Sequence, residues 1–452
     1  MKIPCIQPLN WLVIGLSFLQ PAMTAIQFSN LVLVSTALVL GSRFNLSEIS
    51  RMWLKAKSVS NLSYFFSDSK FSIMDMQNLY AVRVMQVYSL KGGYFIIDDT
   101  MEHHTRLCQW IHGVCCLFDH VLKTNLQSKC IVFLYYSDGA LIKFPIKAKI
   151  FYKENGVLMS WQNGNEFKHK TKNELALEMI KWALDMGFPK ATVLADSWFC
   201  VEPFIKGLRS LKIDYILEAK VSYKIKAPCQ TPKTTKTGRL AKHQFDLISL
   251  SDFFSLIPSF VRCGFDRDLE SGKAEKTLYH AKIATVRFNA FSGKHRVVQS
   301  VDPAKETTKY FISNQLNWEA TKIISAYSKR WVIEEFFRNA KQLSDMEGAT
   351  IRSEQGVTLA LCLVSWIDFL LHYQNYQRTA GKLTKESLTI PSIVRQAQAE
   401  NMEAFIDKVQ NDEKFVKKWI ETNKENINRP RKCSKKLVNL DNIEENSLKK
   451  AA

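Results

Sequence analysis

The stretch YSKRWVIEEFFRNAK, residues 327–341, sets two adjacent glutamates and four basic side chains among aromatics. On an α-helix at about 100° per residue, with Tyr327 at zero, Arg330 falls at about 300°, Glu334 at about 340° and Lys341 at about 320°. These four share an arc of roughly 60°. Ile333, Phe336, Phe337 and Ala340 fall between roughly 180° and 280°, so an apolar face lies beside a stripe of Tyr, Arg, Glu and Lys. Glu335 projects at about 80°, off the stripe. Taken alone, the stripe reads as a solvated face with helical ion pairs worth about 0.3 kcal/mol each. Whether it does chemistry depends on what the rest of the chain brings to it.

Upstream, short apolar runs end at acids. GGYFIIDDT, 92–100, predicts a buried strand closing at Asp98/Asp99, and ATVLADSWF, 191–199, another closing at Asp196. Between them, WIHGVCCLFDHVL and KCIVFLYYSDG predict two more strands. KNELALEMIKWALDMG is an amphipathic helix ending at a glycine, where a left-handed C-cap belongs. VEPFIKGLRSLKI then reads as a helix and DYILEAKV as a strand. The order strand, strand, strand, helix, strand, helix, strand specifies a mixed α/β sheet. Strand ends of such sheets gather reactive groups, because the sheet fixes the position while the side chain faces solvent.

Five regions follow. Residues 1–90 have helical spacing, with Asn45 as a cap, and predict an all-helical N-terminal domain. Residues 91–222 hold the first part of the α/β core. Residues 223–310 read as a β-rich insertion, led in by a mobile segment, 219–242, with seven basic residues and no acid. After the strand KYFISNQ, residues 311–375 return to the core through one long helical stretch, 318–375. Residues 376–452 form a C-terminal helical region with a polar, basic tail, poorly ordered from about residue 423.

The 452 residues carry a formal charge of +19. A surplus that large repels itself in a compact state and fits a polyanionic partner, nucleic acid before an anionic membrane. The ten cysteines form no CxxC pair, which fits a reducing, cytoplasmic setting better than a disulfide framework. NWLVIGLSFLQPAMTA and LVLVSTALVLG, near the N-terminus, resemble a signal-peptide core. Each is shorter than the roughly 20 apolar residues that span a bilayer, so they predict a buried helical pair and no membrane partner.

Three carboxylates, Asp98 or Asp99, Asp196 and Glu334, would repel one another at one spot unless a cation joined them. Carboxylate oxygen suits Mg²⁺ or Mn²⁺. Two such ions roughly 4 Å apart stabilise the attacking and leaving oxygens of an in-line phosphoryl displacement. Tyr327, Arg330 and Lys341 would then hold DNA phosphates nearby.

With those residues in view, the chain resembles a DDE transposase of bacterial insertion sequences, in the group marked by Tyr-x2-Arg-x3-Glu-x6-Lys. Tyr327, Arg330, Glu334 and Lys341 match that signature at its spacing, IIDDT resembles the first Asp motif and VLADSWF the second. The resemblance covers roughly 90–375. It implies a ribonuclease H-like catalytic core with a β-rich insertion before the glutamate helix, and it selects Asp98 over Asp99. It implies Asp98, Asp196 and Glu334 as catalytic metal ligands for two Mg²⁺ or Mn²⁺ ions. Its further implications are nicking at terminal inverted repeats, often through a hairpin, strand transfer into target DNA, and a homodimeric synapse. It gives the N-terminal helices a part in DNA end recognition. In some relatives an aromatic of the insertion stacks on a flipped base; Trp318, Phe288 and Phe291 are the candidates here.

Two other readings use the same residues. One is a host ribonuclease H-like nuclease that cuts DNA without joining it. The other is a domesticated DNA-binding protein without transposition, against which the complete set of acids and the complete signature argue.

Overall fold

Short polar residues cap the helices of the N-terminal region from Thr24 onward. The computed structural model describes residues 3–53, 58–104, 111–120, 122–153, 169–229, 231–232, 234–240, 245–268, 274–382 and 387–428. After α1 (Asn10–Leu16), Thr24 opens α2 (Ala25–Val39) with a capping box shared with Gln27. Asn45 opens α3 (Leu46–Met52) by accepting from the Ser47 and Glu48 amides. Ser58 and Ser72 cap α4 (Val59–Ser67) and α5 (Ile73–Val87). Every residue from Asn30 to Val39 of α2 is buried, as expected of a helix that is apolar on all sides. The helix Glu354–Arg378 is also long and apolar enough to cross a bilayer, but 89% of its most apolar window is buried within the fold. It serves as a core helix, against which α1, α2, α4 and α5 pack.

The sheet begins with β1 (Tyr94–His104), β2 (Cys115–Asp119), β3 (Thr124–Ser137) and β4 (Lys143–Phe151), joined antiparallel around β3. Then come α6 (Lys172–Asp185), β5 (Thr192–Ala195), α7 (Glu202–Ser210) and β6 (Tyr215–Glu218), and here β1, β5 and β6 run parallel. Gly187, two residues past the end of α6, has a φ of 94°, the left-handed turn its glycine was expected to make. This is the mixed sheet of a ribonuclease H-like core. The sequence reading missed β4: its KFPIKAKIF alternates weakly, with three lysines and a proline. The predicted strand over WIHGVCCLFDHVL shrinks to the five residues of β2.

Downstream lie β7 (Lys224–Pro228), β8 (Phe245–Ser249), α8 (Leu250–Ser255), β9 (Val261–Asp268), β10 (Ala274–Arg287), β11 (Lys294–Asp302) and β12 (Thr307–Ser313). The first two form a separate ribbon. The others extend the main sheet, whose order is β2-β3-β1-β5-β6-β12-β11-β10-β9. The β-rich segment therefore continues the core sheet through β12, which pairs antiparallel with β6. Part of the basic lead-in, 219–242, is ordered as β7; residues 230, 233, 241 and 242 of it lie outside the described residues.

The long helical stretch expected over 318–375 is broken. It comprises α9 (Ala320–Ser328), α10 (Trp331–Gln342) and α11, the core helix Glu354–Arg378. At the first break the Arg330 amide bonds the Tyr327 carbonyl at 2.9 Å and the Ile333 amide bonds Arg330 at 3.2 Å. These are three-residue steps, tighter than an α-turn. α12 (Ile390–Asn411) and α13 (Glu413–Asn428) follow. Chain contacts divide the molecule into units 1–401 and 402–452; within the second, Phe405 meets the Trp419 ring edge-on at 5.3 Å. α13 carries helix past the predicted order boundary near 423, and the rest of the tail, from 429, lies outside the described residues.

Candidate active site

The parallel register fixes the acids. Ile97 of β1 pairs with Ala195 of β5, and Ala195 pairs with Leu217 of β6. The next residues on the three strands are Asp98, Asp196 and Glu218. Three carboxylates thus leave neighbouring strands, about 4.8 Å apart, at one level of the sheet. Asp98 does not end its strand, as the sequence reading had it, because β1 runs on to His104 along β3. It marks the place where the parallel partner β5 stops.

Glu334 comes to this level from α10. Arg330 donates from Nη1 to Asp98 Oδ2 at 2.5 Å and from Nη2 to Glu334 Oε1 at 2.9 Å. The guanidinium is 15% exposed and Asp98 14%, so this contact is largely shielded from water. The two aspartates of IIDDT part here, because neighbours on a strand point to opposite faces. Asp98 turns to Arg330; Asp99 takes the ammonium of Lys172 on α6, at 2.8 Å.

The rest of the Tyr-Arg-Glu-Lys stripe is spread by the break between α9 and α10. Tyr327 is 7% exposed, its ring 4.3 Å from Phe311 and its hydroxyl donating to Glu218 Oε2 at 3.0 Å. Lys341 donates to the Met101 carbonyl on β1 and pairs with Glu347, both at 2.9 Å. Glu335, off the stripe, bonds Lys143 of β4 at 3.0 Å. Of the aromatics considered for base stacking, Phe288 and Phe291 are buried against Tyr223 and His295, while Trp318 is half-buried with the Lys322 ammonium 4.2 Å from its ring.

Burial pushes the Asp98 carboxyl up to about 7; Arg330 opposes this, and Asp196, Glu334 and Asp99 add to it. Asp196 is raised as well, by burial first, although the Trp198 amide and Arg330 pull it down. Burial opposes the charge on Arg330, but Tyr327, Asp98 and Glu334 together hold it above its ordinary range. The acids crowd one another, and one guanidinium offsets part of the repulsion.

Such a cluster fits a hard divalent cation in chemistry, since its donors are all carboxylate oxygens. Among the described residues no group of three His, Cys, Asp or Glu side chains is placed to hold a metal ion as it stands. Arg330 occupies the space between two of the donors.

A family model described as DDE superfamily endonuclease matches residues 21–247, half the chain, and another described as transposase DDE domain matches 143–367. The chain belongs to the DDE transposase superfamily. The first match contains Asp98 and Asp196, and the second contains Asp196 and Glu334. A search of curated proteins found no match. A DDE protein is a transposase-type nuclease, and its substrate is DNA.

Two further residues of this cluster are not among those the sequence singles out. Glu218 carried the signal that exposed the aspartates, an acid closing a short apolar strand, YILE. Lys172 lies at the start of α6 and carried no signal, because its partner Asp99 is distant in sequence.

Proposed function

We propose that this protein is a metal-dependent, cut-and-paste transposase of a bacterial insertion sequence, acting on DNA in the cytoplasm as a homodimeric synapse. Asp98, Asp196 and Glu334 would hold two Mg²⁺ or Mn²⁺ ions. The observation that carries this reading is the parallel register that sets Asp98 beside Asp196, with Arg330 tying Glu334 to the same point. When bound, such ions neutralise charge on the attacking and departing oxygens of a phosphodiester. The protein's own part is positioning. β1 and β5 fix two carboxylates rigidly, and α10 brings the third.

Arg330 has a second role in this reading. Its guanidinium would be released from Asp98 and Glu334 if those carboxylates held cations, and its planar fork suits a DNA phosphate. Lys341, anchored on the Met101 carbonyl of β1, three residues past Asp98, supplies a further positive charge along the same strand. Tyr327 supports Glu218 and the Arg330 turn from within; Tyr327, Arg330, Glu334 and Lys341 make up the Tyr-Arg-Glu-Lys group. In this reading residues 1–90 would recognise DNA ends and 223–310 would be an insertion before the glutamate helix.

Purified protein with duplexes carrying the inverted repeats that flank its gene, a target plasmid and Mg²⁺ tests this. Nicked ends and joined product are expected. Nicking with no joined product on any target would leave a nuclease, and activity that survives chelation would remove the metal assignment.

A further inference from the structure

Trp198 lies two residues past Asp196, its amide donating to Asp196 Oδ1 at 3.0 Å, and the residue is 48% exposed. Two ammonium groups stand against its ring: Lys172 at 5.0 Å and Lys220 at 5.8 Å from the centroid. His120 stands 6.4 Å away, tilted by 55°, and beyond it the exposed Phe118 is 5.1 Å from His120. Phe118 belongs to β2, the edge strand of the sheet. A half-exposed tryptophan has no packing reason to sit at a reactive carboxylate. Three rings in successive contact, Trp198, His120 and Phe118, with two lysines against the first of them, match the make-up of a single-strand binding track, in which bases stack while cations follow the backbone.

We infer that Trp198 is a stacking platform for an unpaired nucleotide next to the scissile phosphate, with His120 and Phe118 continuing the track. Bases inside a duplex offer no free face, so the ligand is DNA with unpaired bases at its end. Lys172 is already held by Asp99 and keeps its place; Lys220 makes no ion pair with a described residue and is available to phosphate. The platform is part of the catalytic core, so it is separate from Trp318, Phe288 and Phe291. It rests on the proposed DNA-cleaving function for its substrate.

The test uses the full chain carrying Glu334→Gln, to prevent cutting, with and without Trp198→Ala or Trp198→Phe. The probes are a blunt duplex and the same duplex with a short overhang containing 2-aminopurine. Fluorescence quenching on binding is expected with Trp198 and with Trp198→Phe, and is lost with Trp198→Ala. Affinity of Trp198→Ala for the overhang probe falls on the order of 10-fold, with the blunt duplex little changed. Quenching that persists in Trp198→Ala, or equal weakening on both probes, overturns the platform. Failure of the catalytic reading looks different: Glu334→Gln would still cut, whatever the fluorescence shows.

Discussion

Arg330 bonds Asp98 and Glu334 at the same time, so one positive charge stands where two negative ligands would otherwise face each other. The contact ties a helix to a strand across 232 positions of sequence. Removing the guanidinium should therefore be felt before any DNA is added. Arg330→Met should lower the denaturation midpoint in metal-free buffer, by about 3 kcal/mol of stability, since a shielded carboxylate loses its partner. Mn²⁺ should then raise the midpoint more in the variant than in the wild type. An equal rise in both would mean that ion and guanidinium do not compete.

The carboxylates themselves give the sharpest test. Asp98→Asn, Asp196→Asn and Glu334→Gln keep shape and remove charge. Each should lower the rate of DNA nicking by roughly 100-fold or more, the scale of losing one electrostatic group in a reacting site. Binding to end-containing DNA should persist in a gel-shift assay. Asp99→Asn serves as the control, because Asp99 faces Lys172; a loss as large as that of Asp98→Asn would move the site to the other aspartate.

Glu218 and Tyr327 form a pair that can be measured separately. The hydroxyl donates to the carboxylate at 3.0 Å while Lys309 approaches the same oxygen, also at 3.0 Å. Tyr327→Phe should cost about 1 kcal/mol of stability, the scale of one hydrogen bond to a charged group that keeps a second partner. Combined with Glu218→Gln in a double-mutant cycle, the two should couple by about 1 kcal/mol. Additive losses would show that the hydroxyl works without Glu218.

Acid should weaken the fold through His295. The ring is fully buried beside Arg209, whose guanidinium lies 2.8 Å from Nε2, and burial with that neighbour lowers its pKa to about 4. The neutral ring is thus favoured by folding. Its contribution is complete above about 6.5, the ordinary value, and is lost as the pH falls toward about 4. Urea unfolding between those limits should show a falling midpoint in the wild type and a flatter profile in His295→Gln. Parallel profiles would assign the acid response to other groups.

Much of this site was legible because β-strands and acids leave a strong local trace. FIID, VLAD and YILE are short apolar runs with an acid at or just after their last residue, and parallel pairing then brings the acids level. Glu334 was legible through its helical spacing to Arg330. Tyr327 was placed on the same exposed stripe, yet it is buried. The wheel assumed one unbroken helix, and the tightened turn at Arg330 rotated Tyr327 toward Phe311. β4 was missed because a strand covered by α6 and α11 can carry lysines whose ends reach partners such as Glu178 and Glu335. The lone pairing of β12 with β6, which makes the inserted strands part of the same sheet, had no local signal at all.

That pairing has a cost during synthesis. β6 is complete when Glu218 leaves the ribosome, but the strand that closes its open side arrives only with Phe311–Ser313, more than ninety residues later. Until then a nascent chain displays a bare parallel edge next to the reactive acids, and any product that stops early keeps it. Prematurely terminated copies should accordingly be sticky and short-lived rather than folded and inert.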